Sequence, residues 1–260
     1  MGRLADGVGY LVSIARTVHE EELRYPAAAL AYYGFVSFVP LLLLVVALLG
    51  ERLAVELSRA VPRFLTPSVR ELVQRSLSTA TGRTGAGALA ILVLLWSGVN
   101  VVDDVRTVVA RIEGSVEGSL RHWIRDATVI LGGFVLAMLA VVATSTLLGL
   151  PAGSPLFGLA GFLALWVVLV VAFLPLYYVP SGLVTAPAGA LPGALVASFG
   201  WAALHTGIQF YAAHAGRYAV YGALSGVILL LTSLYIAAAL LLTGIVVNAK
   251  VATGPADGRE

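Results

Sequence analysis

The longest stretch without a charged residue limits what this chain can fold into more than any other feature of its sequence. From Ala127 to Gly216 there is no Asp, Glu, Lys or Arg, and residues 25–50, 84–102 and 218–249 are also free of charge. Charged residues make up 12% of the chain and hydrophobic residues 59%, whereas a soluble domain is about a quarter charged. This pattern argues against a soluble enzyme, a nucleic-acid-binding module and a disordered chain, and it favours a protein embedded in a membrane.

The charge-free stretches have room for six membrane-spanning helices, since each needs about 20 apolar residues. Clusters of Pro and Gly at 150–155 and 180–187 divide the longest stretch into three parts. The runs are continuously apolar rather than alternating, which disfavours a membrane β-barrel. We therefore predict an all-α, polytopic six-helix bundle that forms a single membrane domain. Its predicted spans cover residues 27–49, 85–102, 127–148, 156–179, 190–213 and 220–247.

Three further segments have apolar residues at helical spacing. They lie in residues 1–24, in residues 66–77 and in a short stripe formed by Val105, Val108, Val109 and Ile112. Such amphipathic helices can lie along the lipid headgroups, or they can extend the spans into water, and the sequence leaves both possibilities open. Residues 251–260 are expected to form a flexible tail.

The distribution of basic residues predicts the orientation. Six spans place both termini on the same side of the membrane, and that side carries nine basic residues against seven on the other. Because basic residues are enriched on the cytoplasmic side, we expect a multi-pass plasma (inner) membrane protein with cytoplasmic termini.

Three sequence motifs, which form two blocks, resemble those of a known family. The first span contains PAAALAYYGFVSFVPLL at 26–42, the fifth opens with ALPGA at 190–194, and YAVYG at 218–222 precedes the sixth. Across residues 19–250, the order and spacing of these blocks resemble the YihY/virulence factor BrkB family of integral membrane proteins. The resemblance implies six spans in the inner or plasma membrane and transport of a lipid-related substrate, although the family has no settled activity. An older label of the family is ribonuclease BN.

The chain departs from the family pattern at two places. The last span ends in GIVVN at 244–248, where the family often has GAELN, so a role for that acid does not carry over. The residues before ALPGA are TAPAG, at 185–189, where the family has basic residues.

Enzymatic chemistry finds little support. The four histidines, His19, His122, His205 and His214, do not stand in a repeated motif with acids, and the chain has no Cys. A membrane-bound hydrolase would need His122, Asp126, Asp103 and Asp104 to converge. We therefore expect no catalytic residue, no metal and no cofactor, and no nucleic acid as a partner.

Polar residues within the spans are the candidate functional residues. His205 and Gln209 are four residues apart and share a helix face with Trp201. Such groups either form hydrogen bonds between helices or line a path for a substrate or proton. Asn100, near the end of the second span, and Tyr33 and Ser37, in the first, are further candidates.

Prolines and glycines add two expectations. Pro40, Pro175 and Pro192 are candidate helix breaks, and FVPL at 38–41 echoes FLPL at 173–176, as an inverted repeat would. The glycine pairs 189/193 and 222/226 predict close helix packing, either within the chain or between copies in a homo-oligomer. The leading functional hypothesis is a transporter or flippase-like permease for an amphipathic or lipid-related substrate, with membrane lipids as partners. The alternative is a non-transporting scaffold that organises the envelope.

Overall fold

The computed structural model describes residues 16–17, 22–60, 80–114, 118–148, 155–214 and 223–254. Within these ranges the chain forms six long helices and no strand. In chain order they are α1 (Arg24–Ala60), α2 (Ala80–Glu113), α3 (Leu120–Leu148), α4 (Pro155–Tyr178), α5 (Pro187–His214) and α6 (Ala223–Thr253).

Five of these helices, α2 to α6, are long and apolar enough to cross a membrane. Their outer faces expose large apolar side chains, among them Leu92, Leu139, Val171 and Phe210. A contiguous apolar surface of this extent is unfavourable in water and favourable in hydrocarbon. The predicted all-α, multi-pass membrane fold is therefore confirmed.

Most helix ends fall near the predicted turns. The Pro/Gly cluster at 180–187 separates the end of α4 from the start of α5, and Pro187 occupies the first helical position, where its missing N–H costs nothing. Five of the six helices are longer than the predicted spans, most of all α1, which continues to Ala60, and α2, which continues to Glu113.

One of the predicted amphipathic segments is part of a span-bearing helix. Val105, Val108 and Val109 belong to α2 and are buried, with Ile112 packed against the core. The interpretation of this stripe as a separate helix on the headgroups is therefore wrong, because it packs against other helices instead of lipid. The predicted amphipathic helices in 1–24 and 66–77 lie almost entirely outside the described residues, as does most of the tail.

The helices pack in an order that differs from their order in the chain. Neighbours follow the sequence α2, α1, α6, α5, α4, α3, and α3 returns to α2 through fewer residues. Consequently α6 lies between α1 and α5. Glycines allow close approach at several of these contacts: a methyl group on Gly133 would lie 3.1 Å from the carbonyl oxygen of Ala172, and one on Gly200 would lie 2.6 Å from Leu240.

The two ends of the bundle differ in packing. We call the end at which α1, α3 and α5 begin the packed end, and the opposite one the open end. Near the packed end each helix contributes fully buried residues, for example Ala27, Val105, Ile130, Phe173, Ala194 and Val246. On α6, residues 244–249 are all buried, whereas none of residues 226–236 is. Among the residues whose burial the structure describes, the core therefore lies mostly toward the packed end.

Candidate functional site

One face of α5 turns toward the bundle interior along the helix. Near the packed end it consists of small residues with no exposure, namely Ala190, Ala194, Ala197, Ser198 and Ala202. Residues three or four apart share a helix face, so Trp201, His205 and Gln209 continue this face toward the open end. There the burial stops, because His205 is half-buried and Gln209 is exposed. The burial of this face thus decreases along α5, from the fully buried Ala190 to the exposed Gln209.

The predicted polar pair is brought together on this less buried half of α5. The amide nitrogen of Gln209 lies 2.7 Å from Nε2 of His205, a contact within α5 across one helical turn. If the amide donates, Nε2 accepts and the imidazole is in a neutral tautomer. The pair therefore offers a neutral, hydrogen-bonding surface rather than a charge.

Trp201 lies one turn before His205 on α5 and contacts three other helices. Its ring meets Phe173 of α4 edge-on, with centroids 5.0 Å apart, and lies 6.4 Å from Phe134 of α3. Its Nε1 donates to the carbonyl oxygen of Ala237 on α6, at 2.8 Å. A single side chain of α5 thus joins α3, α4 and α6 between the polar pair and the packed end.

Tyr33 and Asn100 form a second, separate pair. The Tyr33 hydroxyl donates to Oδ1 of Asn100 at 3.3 Å, and Nδ2 of Asn100 donates to the carbonyl oxygen of Trp96 at 2.7 Å. Ser37 lies one turn further along α1 and is half-buried. Because α6 separates α1 from α5, the predicted site residues lie in two groups and not in one.

None of the three candidate helix breaks ends a helix. Pro40 lies inside α1, Pro175 inside α4 and Pro192 inside α5. At Pro192 a side chain from α6 supports the backbone: Oδ1 of Asn248 accepts from Gly193 N at 2.6 Å, and its Nδ2 donates to Ala190 O at 3.2 Å.

The backbones of α5 and α6 touch beside this clamp. A methyl group on Gly193 would collide with the carbonyl oxygen of Gly244, and one on Gly244 would collide with the Tyr177 ring. The Tyr177 hydroxyl donates to Leu241 O at 2.8 Å, so α4 joins the same junction. This explains the ALPGA block physically, since its glycine is needed where two helices meet. In GIVVN, Val246 stands at the family's acidic position and is fully buried.

Sequence reasoning missed an ionic network at the packed end. Asp126, with only 2% of its side chain exposed, lies 3.1 Å from Nε of Arg106 and 3.2 Å from Nη2 of Arg125. The same Nη2 donates to Val179 O at 2.6 Å. The network links α2, α3 and the chain after α4. A sequence signal existed, because Asp126 is the last charged residue before the long charge-free stretch.

Three of the four residues that a hydrolase would need are engaged in other contacts. Asp126 is paired with two arginines, Asp103 accepts from Trp123 Nε1 at 2.7 Å, and the His122 ring contacts the Ser119 hydroxyl at 2.8 Å. Across the described ranges, no three His, Cys, Asp or Glu are grouped so that they could hold a metal ion.

Comparison with known proteins agrees with this architecture. No curated protein and no solved structure matches the chain. The family model described as Virulence factor BrkB matches residues 14–259, which is nearly the whole chain. The protein therefore belongs to the BrkB virulence factor family.

Proposed function

We propose that this protein is a permease, without covalent chemistry of its own, that moves an amphipathic or lipid-related substrate along the inward face of α5. The observation that carries the proposal is the change in burial along the inward face of α5, whose small residues near the packed end are fully buried while His205 is half-buried and Gln209 is exposed. Polar groups at membrane depth are costly unless they face a partner or a water-filled space. In this proposal, the pair lines a water-filled opening between the helices, which meets that need.

The character of the opening favours an amphipathic substrate. Its polar groups are an imidazole and an amide, and its floor is the indole of Trp201. A neutral polar pair above an aromatic floor suits a molecule with a polar head and an apolar body better than a small ion. Membrane lipids would then be both the solvent and the source of substrate.

The topology proposed for this permease has six spans. Helix α1 is 37 residues long, about 55 Å at 1.5 Å per residue, which exceeds the hydrocarbon core of about 30 Å. Its charge-free part, residues 25–50, packs beside α2 and α6. With α1 as the sixth span, the packed end carries Arg24, Arg106, Arg125 and Lys250. The positive-inside rule then places that end and both termini in the cytoplasm and the open end outside the plasma membrane.

A non-transporting scaffold is the second candidate. It is favoured by the packed end, where the Asn248 clamp and the Gly193–Gly244 contact hold α5 and α6 together. A scaffold would need a rigid bundle but no accessible polar pair. The two functions therefore differ in what they predict for His205 and Gln209.

Lipid movement in reconstituted vesicles separates the two candidates. The full chain is placed in vesicles of phosphatidylethanolamine and phosphatidylglycerol that contain a fluorescent phosphatidylglycerol, and the rate at which the inner lipid becomes accessible to an impermeant reductant is measured. We expect the parent chain to accelerate this exchange, and the His205→Leu/Gln209→Leu variant to lose roughly tenfold or more, the equivalent of one or two hydrogen bonds to the lipid head.

The matched control is Thr206→Val. Thr206 lies on the same helix, but its hydroxyl bonds within α5 to Ala202 O and its side chain is turned away from the inward face. This variant should exchange the lipid at the parental rate. Equal rates for the parent, the double variant and protein-free vesicles would leave the scaffold as the better account for this lipid class.

A further inference from the structure

The loop between α4 and α5, residues 179–186, is held to the packed end by an unusual partner. Glu113 is the last residue of α2, where a negative charge is unfavourable because the helix carboxyl end is itself negative. Both oxygens of its carboxylate are used by the loop. Oε1 accepts from the Ser181 hydroxyl at 2.6 Å, and Oε2 accepts from Gly182 N at 2.6 Å and Leu183 N at 3.2 Å.

Further contacts, at Val179, Ser181 and Val184, also hold the loop in place. Ser181 Oγ accepts from Val184 N at 2.9 Å, which folds the loop into a tight turn. Val184 is buried, and its Cγ1 lies 3.3 Å from the position that a methyl group on Gly189 would take. At the loop start, Arg125 holds Val179 O. Polar contacts on the outside and one apolar side chain on the inside thus fix the loop across the end of the bundle.

A small cavity lies directly behind the loop. Its volume is about 10 Å³, and its walls are Val109, Glu113, Leu176, Tyr177, Ser181, Ile245 and Asn248. This volume is close to what one water molecule needs. Two of the wall residues, Glu113 and Ser181, are the pair that holds the loop, while Tyr177 and Asn248 belong to the junction of α4, α5 and α6. The cavity therefore lies between the loop and the junction at which Asn248 of α6 holds the backbone of α5.

We propose that residues 179–186 form the gate at the packed end of the permease, held shut by the Glu113 carboxylate, and that its release opens the cavity to the cytoplasm. The proposal rests on the proposed function and adds to it a gate at the packed end. Three hydrogen bonds to one carboxylate can be lost together in a single movement, because all three donors lie within three consecutive residues of one loop. Trp201 separates this gate from the open end, so the two ends can be accessible in turn.

The test measures how fast a cysteine behind the loop reacts. The chain has no Cys of its own, so Ile245→Cys places the only thiol on the cavity wall. The full chain is reconstituted in vesicles, and a membrane-impermeant maleimide is supplied on both sides. Adding Glu113→Gln should raise the labelling rate roughly tenfold, since it weakens several hydrogen bonds that a charged acceptor strengthens. Adding Asp103→Asn, which alters an acid of the same helix bonded to Trp123, should leave the rate unchanged.

A second thiol position distinguishes a gate from a brace. Leu242 is fully buried on α6 and is not a wall of the cavity. With a gate, Leu242→Cys stays slow in the Glu113→Gln background while Ile245→Cys becomes fast. The proposal is overturned if both positions become fast, because Glu113 would then hold the whole bundle together, or if neither does, because the loop would then not be held by Glu113.

Failure of the proposed gate and failure of the proposed function would give different results. A chain that exchanges lipid and depends on His205 and Gln209, but whose Ile245→Cys labelling is independent of Glu113, is a permease without this gate. A chain that does not exchange lipid fails as a permease for this lipid, whatever the loop does.

Discussion

At the scale of single residues, the contact between Gly193 and Gly244 is the one that tolerates the least change. Each glycine faces the backbone of the other helix, and a methyl group on either has no space. Gly207, on the same helix, has nothing within 4 Å of the position of an added methyl group. Gly193 and Gly207 therefore occupy opposite environments: close packing requires a glycine at 193, whereas at 207 there is space for a side chain.

We expect Gly193→Ala to lower the free energy of unfolding by about 1–3 kcal/mol, because the added carbon forces α5 and α6 apart and strains the Asn248 clamp. Gly207→Ala should be neutral or stabilise by up to about 1 kcal/mol, since alanine is the better helix former. Denaturant titrations of both variants in the same detergent measure the difference. Equal stability of the two variants would mean that the helices do not approach as closely as described.

Sequence reasoning at this scale predicted that glycine pairs mark close packing, but not which surface each glycine meets. Gly193 packs against Gly244 and Asn248, more than fifty residues away in the chain. Gly189 meets Val184 in the neighbouring loop. A spacing of four residues predicts a shared helix face, whereas the partner of that face depends on tertiary structure.

At the scale of helices, the contact between α2 and α3 depends on charge more than the other contacts do. The two helices meet through relatively few residues, and Arg106–Asp126 and Asp103–Trp123 join them near the packed end. Arg106 is 14% exposed and Asp126 only 2%. Removing one member of such a pair leaves the other with a charge that is poorly solvated.

We expect Asp126→Leu to destabilise the protein by about 3–5 kcal/mol, and the double variant Arg106→Leu/Asp126→Leu to be more stable than Asp126→Leu, because the buried charge is removed with its partner. The control is Glu22→Gln, which removes the partner of Arg24 in an ion pair with both side chains more than half exposed and should change stability by less than about 1 kcal/mol. The four chains are compared by unfolding in detergent. A double variant that is less stable than Asp126→Leu would contradict this account, because Arg106 would then stabilise the protein even without Asp126.

The helices themselves could largely be predicted from the sequence, since the charge-free stretches coincide with α2 to α6. The ends could not be predicted as well. Residues 103–113 carry charges, yet they continue α2, because Val105, Val108 and Val109 find apolar partners in neighbouring helices. Charge marks where a helix can leave hydrocarbon, but packing decides where the helix ends.

At the scale of the whole molecule, the order of the helices around the bundle was beyond sequence reasoning. Contact between α1 and α6 joins the two ends of the chain and separates the Tyr33–Asn100 pair from the His205–Gln209 pair. The difference in burial between the packed and the open end likewise depends on how all six helices pack together. The sequence predicted polar residues on the inward face, and only the assembled bundle shows that their exposure changes along α5.

The accessibility of Gln209 tests this account most directly. In a chain without native Cys, Gln209→Cys and Ala194→Cys are compared in intact cells with a membrane-impermeant maleimide added outside, with lipid-facing Val196→Cys as a control. The account predicts rapid labelling at 209, together with protection at 194, which is fully buried, and at 196, which faces hydrocarbon. Protection at 209 equal to that at 194 would contradict the open end, and with it the permease.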